Sequence, residues 1–286
     1  MPRIAYVNGR YVPHRDAAIH IEDRGYQFAD GVYEVCEVAR GNLMDMTRHL
    51  DRLDRSLREL RIGWPMHRSA LVMVMREVVT RNGVTNGLVY VQVTRGVASR
   101  DFVFPDKTVP AVVVTAKKVD PALAARRAET GIKVITLPES RWDRVDIKSV
   151  GLLPNVLAKQ AAKEAGAQEA WFVDAEGNVK EGGSSNAWII TKDGCLVTRP
   201  AEHGILRGIT RTTLFEVAAK LGLKIEERGF SVDEAKAARE AFISSATTIA
   251  MPVVEVDGSP IANGHPGSVV QSLRQAFFDV AEKTPA

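Results

Sequence analysis

The sequence Asp146-Ile147-Lys148-Ser149 lies near the middle of the 286-residue chain, and it decides the fold. It is followed by Leu-Leu-Pro-Asn-Val-Leu-Ala-Lys-Gln at 152–160 and then by Glu181-Gly182-Gly183-Ser184-Ser185-Asn186. Most lysines are solvent-exposed, which is the ordinary interpretation of Lys148. Its neighbours Ile147 and Val150 instead indicate a buried segment. A buried lysine loses its proton more readily, and a neutral amine forms Schiff bases with carbonyl compounds.

The second segment joins a carboxylate to a small, donor-rich loop. In the ordinary interpretation, Glu181 is a polar residue that ends a hairpin strand. A carboxylate there is also suited to an aromatic ring nitrogen, which it keeps protonated so that the ring can accept electrons. Gly182 and Gly183 allow the backbone to approach a ligand closely. Ser184 and Ser185 add two hydroxyl groups, so we predict that both contact a ligand.

Three segments offer contacts for a phosphate group. Arg52, in His49-Leu50-Asp51-Arg52-Leu53, lies opposite the leucine stripe of a predicted helix, and its position alone predicts a solvent-facing side chain. A phosphate would bind it through a charge-assisted bidentate pair. The segment Leu206-Arg207-Gly208-Ile209-Thr210 places a glycine before a predicted helix, whose first backbone N–H groups bind anions. Ser245-Ala246-Thr247-Thr248 follows an apolar strand. Each signal is weak alone, but their joint occurrence with Lys148 favours a phosphate site.

Two further residues are candidates for binding a substrate. Tyr33 follows Asp30-Gly31 on a predicted strand, where ordinary strand packing is the alternative. Arg100 lies in a loop after another strand, where a solvated arginine is the alternative. A carboxylate-binding arginine is the functional interpretation.

Composition excludes several classes of protein. The 38 basic and 35 acidic residues give a net charge of +3, and no dense basic run alternates with aromatic residues, so we predict no nucleic-acid binding. Cys36 and Cys195 form neither a disulfide framework nor a metal-spaced cluster, so we expect a reducing compartment and no metal site. The apolar runs are too short to cross a bilayer. A cytoplasmic protein without membrane contact is the expectation.

The order of predicted elements favours an α+β (α/β mixed) protein, because hairpins alternate with helices. Asn8-Gly9 predicts a type I′ turn, Thr47 is expected to begin a helix, and Ser231-x-x-Glu234 predicts a capping box. A charged, proline-containing segment near Lys117 to Ala125 indicates a domain boundary. We therefore expect a smaller N-terminal domain at 1–118, a linker at 119–125 and a larger C-terminal domain at 126–286 that carries Lys148.

Together these segments resemble the D-amino-acid aminotransferases of fold type IV. The matching pieces cover almost the whole chain: Glu22 to Glu34, His49 to Leu53, Gln92 to Gly96, Arg141-Trp142, Asp146 to Ser149, Glu181 to Asn186 and Leu206 to Thr210. Asp-Ile-Lys-Ser and Glu-Gly-x-Ser-Ser-Asn mark the superfamily. The piece Asp-Arg-Gly-Tyr-Gln-Phe-x-Asp-Gly-Val-Tyr-Glu points to the D-amino-acid branch.

The resemblance implies a homodimer of two-domain chains, with pyridoxal 5′-phosphate between the domains. It implies that Lys148 is the Schiff-base lysine and proton shuttle, that Glu181 is the partner of the pyridinium and that Arg52 clamps the phosphate. It places the backbone of Ile209 and Thr210 on the phosphate, and Tyr33 and Arg100 at the substrate carboxylate. The remaining predicted cofactor contacts are Ser184, Ser185, Leu206, Gly208, Ser245, Ala246 and Thr247.

The chain departs from the family pattern at two positions. The family's carboxylate trap usually reads Arg-x-His, whereas here Phe102 follows Arg100 and Asp101. Phenylalanine donates no hydrogen bond, and the loss of one charge-assisted contact weakens carboxylate binding by about 1.5–3 kcal/mol. Ala246 stands where the family often has a hydroxyl group, for which a backbone N–H or Thr247 could substitute.

These inferences predict a D-amino-acid transaminase with ping-pong kinetics, for which D-alanine and 2-oxoglutarate are the expected substrates. Three alternatives use the same scaffold: a branched-chain L-amino-acid aminotransferase, an (R)-selective amine transaminase favoured by Phe102, and an aminodeoxychorismate lyase. A non-catalytic binding protein is more remote, because it would have no need for the set of Lys148, Glu181 and Arg52.

Overall fold

The computed structural model describes residues 3–202 and 204–286, and these form two compact units. Unit 1 contains the described residues up to Pro121 together with Ile147–Gly151 and Glu282–Ala286. Unit 2 contains Ala122–Asp146 and the described residues of Leu152–Ala281. No helix among the described residues combines the length and apolar character needed to cross a bilayer.

Helices and strands alternate along the chain. The strands are β1 (Ile4–Val7), β2 (Arg10–Pro13), β3 (Gly31–Ala39), β4 (Asn42–Met44), β5 (Gly87–Thr94), β6 (Ala111–Lys118), β7 (Ile132–Pro138), β8 (Glu169–Val173), β9 (Val179–Gly182), β10 (Asn186–Ile190), β11 (Leu196–Thr198), β12 (Ile225–Glu227), β13 (Glu240–Ser245), β14 (Ile249–Val256), β15 (Ser259–Pro260) and β16 (Lys283–Pro285). The helices are α1 (Arg24–Phe28), α2 (Met46–Glu59), α3 (Arg68–Arg81), α4 (Pro121–Thr130), α5 (Leu153–Glu164), α6 (Ile209–Lys220), α7 (Val232–Ala237) and α8 (Ser268–Val280), and a 3-10 turn spans His14–Asp16. The predicted mixture of helices and sheets is confirmed.

Unit 1 is built on an antiparallel sheet with the strand order β16-β4-β3-β5-β6-β1-β2. Its core joins the apolar stripe of α2 to inward-facing residues of β3, β5 and β6, and Ile147 belongs to the same core. The predicted hairpin at the start of the chain is present: Asn8 and Gly9 have φ angles of 44° and 94°, as a type I′ turn requires.

The segment that carries Lys148 lies in unit 1, whereas the sequence analysis assigned it to the C-terminal domain. Val32 and Ser149 form an antiparallel bridge, and Val150 N donates to Gly31 O at 3.0 Å. Buried Ile147 adds an apolar anchor. The predicted linker at 119–125 overlaps the beginning of α4, which starts at Pro121. Proline is well tolerated at the start of a helix, so the proline in this segment did not exclude a helix. The division into two folding domains stays a prediction.

Helix α2 begins differently from the prediction. Its N-cap is Asp45, not Thr47. Thr47 donates its hydroxyl to Glu282 at 2.8 Å, and its backbone N–H donates to the same carboxylate at 3.1 Å. Strand β16, directly after Glu282, then pairs with β4 at the edge of the unit 1 sheet. Neither feature was predicted, because both depend on residues far away in sequence.

Unit 2 is built on a mixed sheet with the order β12-β11-β10-β13-β14-β7-β8-β9, and β15 pairs with β14. The pairs β14–β7, β7–β8 and β11–β12 are parallel, and the other pairs are antiparallel. Helices α6 and α8 pack together and on β13 and β14. Ser231 accepts from Glu234 N at 3.1 Å, which confirms the Ser231 half of the predicted capping box at the start of α7, while the Glu234 carboxylate accepts from Arg228.

Candidate active site

Lys148 is half-buried and lies against Tyr33 in unit 1. Its Nζ is 4.3 Å from the centroid of the Tyr33 ring. The backbones are joined as well: Tyr33 N donates to Lys148 O at 3.0 Å, and Lys148 N donates to Ser56 Oγ at 3.3 Å. The structure therefore brings Lys148 and Tyr33, two predicted site residues, together. Hydrogen bonds also hold the backbone of Lys148 in place.

A second aromatic residue, Tyr90, extends this pair. Its ring stacks on Tyr33, with centroids 5.6 Å apart. Burial and the neighbouring Tyr33 raise the pKa of Tyr90 to about 12, so its hydroxyl stays neutral and donates to Gln92 Oε1 at 2.7 Å. The Tyr33 ring thus lies close to both the Lys148 amine and the Tyr90 ring. Tyr90 was not predicted from the sequence. Its position opposite Val35 on the paired strand brings it near Tyr33, and this register is known only from the structure.

Arg52 forms a buried ion pair, which corrects the prediction from its helical position that it faces solvent. Its side chain is 10% exposed, and Nε and one terminal nitrogen donate to Glu34 at 2.7 and 2.9 Å. His49 Nδ1 lies 2.7 Å from the same carboxylate. Burial opposes ionisation of Glu34, but the charge and hydrogen bonds of Arg52, aided by His49, hold the pKa of Glu34 well below its usual value.

Tyr33 and Glu34 are consecutive residues of β3, so their side chains point to opposite faces of the sheet. The Arg52 cluster therefore belongs to the face covered by α2, and Tyr33 to the other face. Sequence analysis missed Glu34. A buried arginine requires a carboxylate partner. A nearby acidic residue such as Glu34 could therefore have been predicted if Arg52 had been expected to be buried.

Glu181 lies on β9 in unit 2 and is 5% exposed. Arg141 donates to its Oε1 at 2.6 Å, while Asn186 Nδ2 and Leu206 N donate to its Oε2 at 3.0 and 3.1 Å. Burial raises the pKa of Glu181 above its usual value of 4.5, and the positive charge of Arg141 opposes this rise. The group is therefore a more basic carboxylate, held in one orientation by three donors.

Arg141 is shared between two carboxylates. It also donates to Glu139 from Nε at 2.9 Å and from a terminal nitrogen at 2.8 Å. Burial alone would raise the pKa of Glu139, but the hydrogen bonds and charge of Arg141 lower it to about 2. The negative charge of Glu139 raises the pKa of Glu181, whereas His49 adds to Arg52 in lowering the pKa of Glu34.

The hydroxyl groups of Ser184 and Ser185 donate to a third buried carboxylate. Their Oγ atoms lie 3.0 and 3.1 Å from Glu169 Oε2, and Lys159 Nζ lies 3.1 Å from Oε1. With their protons directed at Glu169, both hydroxyl groups could only accept a hydrogen bond from a ligand. A side chain at Gly182 would collide with Ser185 Oγ, which is why this turn needs glycine.

The predicted anion site at the start of α6 has the expected geometry. Gly208 is the N-cap and no side chain caps the helix. The first helical residues, Ile209 and Thr210, are buried at 8% and 5% exposure. A side chain at Gly208 would collide with Asn186 Oδ1, and Asn186 Nδ2 donates to Leu206 O at 2.9 Å. The loop before α6 is thus tied to the residue that also holds Glu181.

The segment after β13 is a turn of hydroxyl-bearing residues. Ser245 Oγ lies 3.1 Å from Thr247 Oγ1 and 2.9 Å from Thr248 Oγ1. Ala246 is half-buried between them. Arg274 donates to the carbonyl oxygen of Thr248 and so holds the end of this turn in place. Thr248 was not among the individually predicted cofactor contacts. The turn therefore offers the hydroxyl groups of Ser245, Thr247 and Thr248, although Ala246 has none.

Arg100 and Phe102 lie on the exposed loop between β5 and β6. The Arg100 guanidinium carbon is 5.1 Å from the centroid of the Phe28 ring and 5.7 Å from that of Phe102. The two rings are 5.4 Å apart, and Phe102 is 78% exposed. Two aromatic rings therefore lie beside the exposed arginine predicted to bind a carboxylate.

The residues present fit pyridoxal phosphate by the chemistry of their donors and acceptors. In unit 1, Lys148 offers a primary amine on a fixed backbone. Within unit 2, Glu181 offers a buried carboxylate suited to a ring nitrogen. The uncapped first turn of α6 and the Ser245–Thr248 hydroxyls suit a phosphate. The roles assigned to the individual residues stay predictions.

Residues 31–256 match the family Amino-transferase class IV. A D-alanine aminotransferase from Listeria monocytogenes is 39% identical over 274 residues, which are 96% of this chain and 94% of that relative. A branched-chain amino acid aminotransferase from Escherichia coli has a similar fold, with a TM-score of 0.89 at 24% identity over 98% of this chain and 94% of that one. A hypothetical aminotransferase from Mycobacterium tuberculosis, solved in a PLP-bound form, has a TM-score of 0.84 at 25% identity over 96% and 98%.

Proposed function

The chain belongs to the class IV aminotransferases, and on that premise we propose that it transfers the amino group of D-alanine to 2-oxoglutarate with pyridoxal phosphate as cofactor. The observation that carries the proposal is the half-buried Lys148 amine against Tyr33. Similarity to D-alanine aminotransferases over nearly the whole chain supports the choice of substrate.

Lys148 holds the cofactor and moves protons. Its Nζ would hold the cofactor until the substrate amine takes its place. When bound, pyridoxal phosphate supplies an electron sink for the electrons of the substrate Cα–H bond. The freed Nζ takes the proton from Cα of the donor amino acid, and in the second half-reaction it returns a proton to Cα of the acceptor. The two half-reactions alternate, which gives ping-pong kinetics.

Glu181 holds a proton at the ring nitrogen. Its carboxylate accepts from Arg141, Asn186 and Leu206 N, so its orientation is set before the ligand arrives. The raised pKa of Glu181 makes it a stronger acceptor for a protonated nitrogen than an exposed glutamate. The positive charge and the hydrogen bond of Arg141 favour the ionised carboxylate.

The first turn of α6 and the hydroxyls after β13 would hold a phosphate group. Arg52, in unit 1, is the other proposed phosphate ligand. Arg52 is already oriented by Glu34 through two hydrogen bonds. An arginine fixed in this way loses little side-chain entropy on binding an anion. The exposed loop that bears Arg100 binds the substrate carboxylate.

The active form is a cytoplasmic homodimer. Helix α5 exposes Leu153, Val156 and Leu157 at 68%, 58% and 63%, and their spacing places them on one face. Contiguous apolar side chains of this kind mark interaction sites. Val156→Asp is expected to halve the mass measured by light scattering, whereas Met73→Asp, at an exposed site on α3, leaves the mass unchanged. A wild-type protein with the mass of one chain would contradict the dimer.

An absorbance titration tests the activity. The purified protein with pyridoxal phosphate is expected to absorb at ~410–420 nm and to shift to ~330 nm when D-alanine is added, because transfer of the amino group changes the cofactor's conjugation. Lys148→Ala is expected to show no shift, and the lost covalent bond is checked by borohydride reduction followed by mass spectrometry. A shift with L-leucine but not D-alanine would reverse the proposed stereochemistry.

A second candidate is an (R)-selective amine transaminase, which the exposed Phe28–Phe102 pair favours. An apolar surface beside Arg100 suits a substrate with an aromatic group in place of a carboxylate. A shift with (R)-1-phenylethylamine that exceeds the shift with D-alanine would establish it.

A further inference from the structure

Asp30 is a buried carboxylate shared by two buried guanidinium groups in unit 1. Arg24 Nε donates to Asp30 Oδ2 at 2.8 Å, and Arg95 donates to the same carboxylate from Nε at 2.7 Å and from a terminal nitrogen at 3.0 Å. The side chains of Arg24, Arg95 and Asp30 are 3%, 6% and 9% exposed. The cluster therefore buries two positive charges and one negative charge.

The bonds of Arg95 account for its place in the fold. It pairs with Asp30 through two hydrogen bonds, and its terminal nitrogens donate to Leu60 O at 2.6 Å and Arg61 O at 3.1 Å. Its guanidinium carbon also lies 3.7 Å from the centroid of the Phe104 ring. Arg95 alone neutralises Asp30. The second guanidinium adds a desolvation cost that one carboxylate does not offset, so stability alone does not explain Arg24.

Arg24 makes its other contacts with the loop that carries Arg100. A terminal nitrogen of Arg24 donates to Asp101 O at 2.6 Å, directly beside Arg100 in the chain. The Arg24 guanidinium carbon is 4.8 Å from the centroid of the Phe28 ring. The same ring lies 5.1 Å from the guanidinium carbon of Arg100. Arg24 thus holds both the backbone next to Arg100 and the ring against which Arg100 packs.

The backbone bonds hold only the beginning of this loop. Arg24 N donates to Gly96 O at 2.9 Å, and Ala98 N donates to Glu22 O at 3.2 Å. Beyond that point, Asp101 and Phe102 are exposed. The side chain of Arg24 reaches from the core of unit 1 to this exposed part of the loop.

We propose that Arg24 is a positioning residue that fixes the loop at 100–102 and so sets how tightly the enzyme binds the substrate carboxylate. This role rests on the function proposed above, in which Arg100 contacts that carboxylate. Arg24 acts through Asp101 and Phe28 and touches no substrate itself. A fixed loop keeps Arg100 in its binding orientation, so less entropy is lost when a carboxylate binds.

The test is Arg24→Met, which keeps a long side chain, removes both hydrogen bonds and leaves the neutral pair of Asp30 and Arg95. The KM for D-alanine is expected to rise about tenfold while kcat changes less than about twofold, because binding is lost equally in the ground and transition states. Arg24→Lys, which keeps the charge and one donor, is expected to recover part of the increase. It also serves as the variant to measure if Arg24→Met does not fold.

Hydrogen exchange supplies a readout that does not depend on activity. In the cofactor-free and the cofactor-loaded protein, exchange within residues 99–104 is followed at the Val103 amide, which donates to Asp101 Oδ1 at 3.3 Å and is expected to exchange about tenfold faster in Arg24→Met than in wild type. The matched control is Arg81→Met, which removes a guanidinium 4.3 Å from the Tyr11 ring and paired with Glu77 in the same unit. This control is expected to leave exchange at 99–104 and the KM unchanged.

The outcomes separate this role from the proposed function. Unchanged exchange at 99–104 in Arg24→Met would overturn the positioning role even if the enzyme transaminates D-alanine normally. Faster exchange with an unchanged KM would also overturn it, because the loop would then have no effect on carboxylate binding. If D-alanine does not react with the wild-type protein, the proposed function fails, and the exchange experiment still decides whether Arg24 orders the loop.

Discussion

Replacing Glu34 with glutamine tests the buried charge cluster of unit 1. The substitution keeps the size of the side chain but removes the charge that pairs with Arg52. Both Glu34 oxygens now accept from donors, Oε1 from Arg52 and Oε2 from Arg52 and His49. An amide has one acceptor oxygen, and its NH₂ group would face a donor. Breaking a buried ion pair on one side costs about 3–5 kcal/mol, and we expect this loss in the free energy of unfolding at pH 7.

The pH dependence of this loss follows from the depressed pKa of Glu34. The carboxyl group of the unfolded chain titrates near 4.5, and its folded pKa lies well below that value. A group of this kind contributes its full stability above the unfolded pKa, and the contribution falls as the pH drops toward the folded pKa. At pH 3.5, one unit below the unfolded value, the advantage of wild type over Glu34→Gln should be smaller by about 1.4 kcal/mol.

The assay is urea unfolding of the two cofactor-free proteins at equal concentration, at pH 7 and pH 3.5. Glu240→Gln is the matched control, because that buried carboxylate accepts from two backbone amides, Val269 N at 3.1 Å and Val270 N at 3.0 Å. Its loss of stability should be the smaller of the two. A Glu34→Gln loss below about 1 kcal/mol at pH 7 would refute the reasoning. A loss that does not shrink at pH 3.5 would refute it as well.

Three further substitutions probe unit 2 and the exposed loop. Glu181→Gln should lower the transamination rate about a hundredfold and lower the free energy of unfolding at pH 7 by about 1–3 kcal/mol, because both Glu181 oxygens accept hydrogen bonds and the new NH₂ group would face a donor; rate and urea measurements check the two parts. Gly208→Ala should destabilise the protein by about 1–3 kcal/mol in urea unfolding, since the new methyl group displaces Asn186, while Gly63→Ala, where the space is open, should not. Phe102→His should lower the KM for D-alanine about tenfold by restoring a hydrogen-bond donor, and an unchanged KM would mean that residue 102 does not contact the carboxylate.

The local pattern of the sequence predicted most of the elements, because their signals lie within a few residues. Asn8-Gly9 required a turn with positive φ angles, and Ser231 and Glu234 are three residues apart on either side of a helix start. The same local pattern predicted the wrong cap for α2. Thr47 is a good N-cap residue by type, but its hydroxyl is used by Glu282, and no signal near Thr47 reveals that partner.

The candidate site divides in the same way. Lys148, Glu181 and the start of α6 could be predicted because a few adjacent residues indicate their chemistry. The carboxylates that hold the other site residues were missed: Glu34, which pairs with Arg52, and Glu169, which accepts from two serines. Each is an unremarkable strand residue in sequence, and it becomes informative only when folding brings a distant donor against it.

The pairing of Thr47 with Glu282 spans 235 positions in the chain, and this has a consequence for synthesis on the ribosome. The edge of β4 and the first turn of α2 stay without their partners until residues 282–285 have emerged from the exit tunnel. An exposed strand edge can pair with other chains, so the nascent protein carries an aggregation hazard through most of translation. Slow synthesis of unit 2 would lengthen that interval. A chaperone that covered the β4 edge would keep it from pairing with other chains during that time.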